Sequence, residues 1–140
     1  MAKDSNVMKL DFSSVGTLPE DQPYLCMVSK FELGTSQKGQ PMVSAEFTIE
    51  EPDVKGIKGR KIFRTFSLQD QALFSLHGLL KALGASAEEL DSGSFEFNTE
   101  NYVGKFVTVF VRTRESDEFG DRSEPRRFAP ESVYAEGAAI

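Results

Sequence analysis

Between Tyr102 and Glu115 the chain reads YVGKFVTVFVRTRE, with Val107, Val109 and Val111 on one beat and Phe106, Thr108, Phe110 and Arg112 on the other. A period of two marks a strand, because successive side chains leave a pleated backbone on opposite faces. Both faces of this strand are apolar enough to be covered, so one of them must line an enclosed interior. The valines are compact and β-branched, as the narrow inside of a small barrel favours. That choice sets Phe106, Phe110, Arg112 and Arg114 outside.

Other segments supply its partners. YLCMVSKFELGT (24–35) reads as a strand and PMVSAEFTIEE (41–51) as a second, in which Val43, Ala45, Phe47 and Ile49 alternate with Ser44, Glu46, Thr48 and Glu50. TSQKGQ lies between them and contains Gly39, which makes the pair a hairpin. RKIFRTFSL (60–68) is a third strand. It runs into a helix from about Gln69, where Ala72, Leu73, Leu76, Leu79, Leu80 and Leu83 recur at spacings of three and four before Gly84 stops it. Ser86 and Glu89 form a capping box for a short second helix that Gly93 ends. Beyond the 102–115 strand, the loop ESDEFGDRSEP returns the chain into a last strand, PRRFAP.

Three strands, a helix and two strands have an economical solution: a mostly β, five-stranded, Greek-key OB-fold (oligonucleotide-binding) barrel, with the helix between strands three and four plugging one end. An open α+β sheet also fits this order. The expected layout is a partly flexible N-terminal segment (1–17), the barrel (18–130) and a flexible tail (131–140) with little to pack.

A chain of 140 residues can bury one self-sufficient core. Its single cysteine, Cys26, cannot form an intrachain bridge, which fits a reducing compartment. No run reaches the length of a membrane helix, and the start MAKDSNVMKL lacks the apolar stretch of a signal peptide, so the expected location is the cytoplasm. His77, the one histidine, reads as a core or boundary residue. One histidine and one cysteine do not make a metal site, and neither a Gly-rich phosphate loop nor a nucleophile signature is present. Neither a cofactor nor enzyme activity is expected.

Charge points elsewhere. The net charge of −6 repels polyanions at long range, which argues against a general polyanion binder. Yet VKGIKGRKIFRTFSLQ, from Val54 to Gln69, carries Lys55, Lys58, Arg60, Lys61 and Arg64 without one acid. Interleaved with Phe63 and Phe66, this stripe offers charge for phosphates and rings for bases, the combination that single-stranded nucleic acid binders use. Its register stays open: either Lys61, Phe63 and Thr65 face outward, or Ile62, Arg64 and Phe66 do. On the 102–115 strand, Phe106 and Phe110 offer a stacking platform flanked by Arg112 and Arg114. Lys38 and Phe119 are the candidate contacts at the tips of the two loops with which such barrels grip oligonucleotides. A protein interface made of exposed aromatic residues is the alternative reading of the same features.

Taken together, TSQKGQPMVSAEFTI, KGRKIFRTFSL, ALFSLHGLLKALG and YVGKFVTVFVRT followed by a polar hairpin and RRFAP resemble the phage-encoded single-stranded DNA-binding proteins long catalogued as a domain of unknown function. The resemblance runs from about Leu18 to Pro130. It implies an OB fold, sequence-tolerant binding of single-stranded DNA and a role in phage DNA replication or recombination in the host cytoplasm. Replication or recombination proteins, and further copies of the chain, are the additional partners it suggests; a membrane is not. Two features depart from the pattern. The tail ends in GAAI instead of an acidic partner-recruiting tip, and phenylalanines and a threonine stand where outward lysines are expected on the Val-Gly-Lys strand.

Overall fold

The computed structural model describes Val7, Lys9 and residues 17–115 and 121–135. It is mostly β, with five antiparallel strands in one sheet and few helices. The strands are β1 (Tyr24–Thr35), β2 (Pro41–Glu51), β3 (Lys61–Ser67), β4 (Phe106–Arg114) and β5 (Arg122–Pro130), in the spatial order β3-β2-β1-β4-β5.

The alternation read from the sequence governs what is buried. Val43, Ala45, Phe47 and Ile49 of β2 and Val107, Val109 and Val111 of β4 share one core with Tyr24, Cys26, Val28 and Phe31 of β1. On β1 the inward beat shifts from Val28 to Phe31, because the register against β2 slips between Val28 and Lys30. This extra residue is a bulge, which bends the strand and re-aims the side chains beyond it. Burial of the Cys26 thiol raises its pKa, so it stays protonated and behaves as a small core residue.

Between β3 and β4 lies helix α1 (Leu73–Ala82), which packs on β5 and β3, the two edges of the sheet. It ends as the sequence predicts. Gly84 adopts a φ of 108° and donates to the Lys81 carbonyl, while the Ala85 N–H reaches back to the Leu80 carbonyl. That pair of bonds is the Schellman stop, which requires the left-handed residue glycine supplies. Its start differs from expectation. Asp70–Ala72 form a 3₁₀ turn, whose tighter winding shifts the phase of the stripe. Burial therefore begins at Leu76, and Leu73 and Phe74 are exposed. The short α2 (Ala87–Leu90) carries its predicted cap, with the Glu89 N–H donating to Ser86 Oγ at 3.1 Å.

Leu18, the first residue of the expected domain, is buried in the core and its N–H donates to Ser123 Oγ at 2.6 Å. The expectation for the tail needs correction. Residues Glu131–Ala135, expected to be a loose tail, form helix α3 against β4. The Tyr134 N–H donates to Thr108 Oγ1 at 3.1 Å, and Thr108 in turn donates to the Pro130 carbonyl at 2.9 Å. A buried strand hydroxyl thus has both its functions met, which anchors the start of this segment.

Candidate nucleic-acid interface

The register of β3 is resolved in favour of Ile62 and Phe66 inward and Phe63 outward. Arg64 shares the inward beat, and its charge is accommodated at the seam where β3 meets β5. Its Nη1 donates to the carbonyls of Pro125 and Arg126, at 3.4 and 3.3 Å, and its guanidinium lies 4.9 Å from the Phe66 ring centre and 5.9 Å from that of Phe128. No ladder joins β3 to β5 in the sheet order, so these edge carbonyls need donors and the arginine supplies them.

Beside this seam opens a cleft of about 560 Å³. Its walls come from all five strands: Lys30 and Glu32 of β1, Ser44, Ala45 and Glu46 of β2, Phe63, Arg64 and Thr65 of β3, Arg112 and Arg114 of β4, and Arg122, Ser123 and Glu124 of β5. Five cations face three carboxylates in a protein of net charge −6, so the cleft is locally positive. Phe63 is 60% exposed there, an unusual state for a phenylalanine in the middle of a strand.

Glu124 organises one wall. Its Oε1 accepts from Arg112 Nε at 2.7 Å, and its Oε2 lies 3.4 Å from Arg114 Nη1. Burial alone would raise its pKa. The hydrogen bond and charge of Arg112, followed by those of Arg114, outweigh this and hold the carboxyl below its ordinary value. Because the folded-state pKa is depressed, the pair stabilises the fold above the ordinary carboxylate pKa and is lost as pH falls through the depressed value. Acidification from about pH 5 downward is therefore expected to lower the melting temperature, and Glu124→Gln to flatten that dependence. An identical acid profile in the variant would show that the contact carries no stability. Arg64 is also shifted down, but against its charged form: burial, then the nearby charge of Arg112, lowers its pKa, while Glu124 partly offsets them.

On the opposite wall Glu46 is 6% exposed, with its Oε2 accepting from Ser29 Oγ at 2.8 Å and lying 3.8 Å from Lys61 Nζ. Thr48 Oγ1 donates to Ser29 at 2.9 Å. The β1 bulge brings Ser29 into this network.

The sequence-predicted site residues separate into groups. Phe63, Arg64, Arg112 and Arg114 come together in the cleft, and Lys61 borders it through Glu46. Phe66 and Phe110 must be corrected as stacking candidates. Phe66 is 1% exposed, packed in the core beside Phe128 at 6.0 Å. Phe110 is 2% exposed; it does lie on the outward beat, but the Arg127 guanidinium sits 4.2 Å from its ring centre. Phe106 is 38% exposed and lies outside the cleft.

The basic stripe is likewise less uniform in space than in sequence. Lys58 lies 3.8 Å from Asp53, Lys55 and Arg60 have interactions of their own, and none of the three lines the cleft. Lys38 is exposed in the β1–β2 hairpin loop. Phe119 lies outside the described residues. Sequence reasoning missed Lys30, Arg122 and Glu124. The signal for the latter two was their register, since Arg122 pairs with Arg114 and Glu124 with Arg112 across the β4–β5 hairpin.

No group of three or more metal-ligating side chains occurs among the described residues, and no described helix is long and apolar enough to cross a membrane. Comparison with protein-family models and with curated proteins returns no match, so the functional reading rests on this geometry.

Proposed function

We propose that the chain is an OB barrel that binds single-stranded DNA without sequence preference through the cleft beside the β3–β5 seam, protecting and organising the strand in phage DNA replication or recombination. The observation that carries this reading is the convergence of Lys30, Arg64, Arg112, Arg114 and Arg122 around the exposed ring of Phe63 in an acidic protein. Cations neutralise phosphates and release counterions, while an aromatic face accepts any base. Barrel closure is supported by the contact of the two edge strands through Arg64 and through the Phe66–Phe128 pair, with α1 packed over both.

A titration with labelled single-stranded, duplex and RNA oligomers at two salt concentrations tests it. Single strands are expected to bind more tightly than duplex, because pairing hides the base faces, and affinity falls as salt rises. Equal affinity for duplex and single strands would sink the reading. The alternative, a protein interaction module, is favoured by Phe74, which is 76% exposed beside the exposed Leu73 and outside the cleft. Absence of nucleic acid binding in the same titration selects it.

A further inference from the structure

Resting on the reading above, we infer that the cleft is a site for a strand end bearing a terminal phosphate monoester, with the terminal base stacked on Phe63. The reason is how the cations are spaced. A track for internal phosphodiesters needs charges strung out along the path of the backbone. Here Arg112 and Arg114 bind opposite oxygens of one carboxylate, and Arg64 lines the same cleft. Arg122 pairs directly with Arg114 across the hairpin. Four guanidinium groups thus converge, and Glu124 neutralises one of them.

That surplus suits a dianion better than the single charge of a diester, and a guanidinium fork matches the oxygens of a phosphate. Each guanidinium carries five N–H donors, of which the contacts with Glu124 occupy one nitrogen on Arg112 and one on Arg114. On the far side of the cleft Glu32 and Glu46 offset Lys30 and Lys61, so the positive charge of the arginine cluster is not continued across it. Its volume of about 560 Å³ falls within the range of sites for one small ligand, not a long strand.

The test is a fluorescence anisotropy titration of the full chain with one oligo-dT sequence in four forms: 5′-phosphorylated, 3′-phosphorylated, hydroxyl at both ends, and covalently circular. One phosphorylated end is expected to bind about tenfold or more tighter than the hydroxyl form, the gain given by charge-assisted hydrogen bonds. Which of the two phosphorylated forms gains identifies the polarity. The advantage should shrink as pH is lowered through about 6, where a phosphate monoester loses its second charge, while the affinity of the hydroxyl form changes little. It should also vanish in a variant carrying Arg112→Gln, Arg114→Gln and Glu124→Gln together. If all four forms bind equally, the terminal-phosphate site does not exist and single-strand binding stands. If none binds, both readings fall.

Discussion

Phe110→Ala is expected to destabilise the fold by about 3–5 kcal/mol, the usual cost of emptying a buried phenylalanine site. Against a typical total stability of about 5–15 kcal/mol, that is a large fraction. The ring is only 2% exposed although it lies on the outward beat of β4, and Arg127 stacks over it. Phe63→Ala should do the reverse. With 60% of the residue in solvent, its loss should change stability by no more than about 0.5 kcal/mol, yet remove a stacking surface worth roughly 1–3 kcal/mol of single-strand binding. Denaturant unfolding and oligo-dT titration of both variants give the four numbers needed. If Phe110→Ala folds as stably as the parent, or if Phe63→Ala binds as well, the assignment of the stacking ring to β3 is wrong.

Charge gives the second large effect. The triple variant Arg112→Gln, Arg114→Gln and Glu124→Gln removes two cations and the carboxylate between them, so that no side chain is left as an orphaned half-buried charge. Two charge-assisted contacts at about 1.5–3 kcal/mol each correspond to a loss of about a hundredfold or more in low-salt affinity for single strands. The dependence of log affinity on log salt should also become shallower by about 0.7, the value for one phosphate no longer neutralised, because the two cations leave together with one carboxylate. A matched variant at Lys55 and Lys58, which do not line the cleft, should change both quantities much less. If the loop variant proves the more damaging, the strand contacts the 52–60 loop and not the cleft.

How much of this was legible in the sequence depends on which residues had to cooperate. The inward valines of β4, the β2 alternation, the Gly84 stop and the Ser86 cap are local patterns, and each is realised. Direction is not burial, however. The beat of β4 correctly sets Phe110 outward, but the guanidinium that covers it comes from β5, and the neighbouring Thr108 is covered by α3. The β3 register was undecidable from charge because an inward arginine is tolerable only with distant help. The carbonyls of Pro125 and Arg126 and the ring of Phe128 provide it, from the far edge of the sheet.

The acid-free stripe misled for a related reason. Contiguity in sequence does not keep charges together once the chain turns. Lys58 folds back on Asp53, Lys61 meets Glu46 across the β2–β3 pair, and only Arg64 reaches the cleft lining. Glu46 belongs to a network assembled by the bulge near Ser29, a departure from regular alternation that no period-two pattern reveals.

The central claim, that single-stranded DNA lies in the cleft between β3 and the β4–β5 hairpin, is tested most directly by mapping backbone amide shifts during titration with oligo-dT. Perturbations are expected at Lys30 and Glu32, Ser44 to Glu46, Phe63 to Thr65, Arg112 and Arg114, and Arg122 to Glu124, with Phe74 and Phe106 unmoved. Shifts concentrated on α1 around Phe74, or around Phe106 at the start of β4, would contradict it.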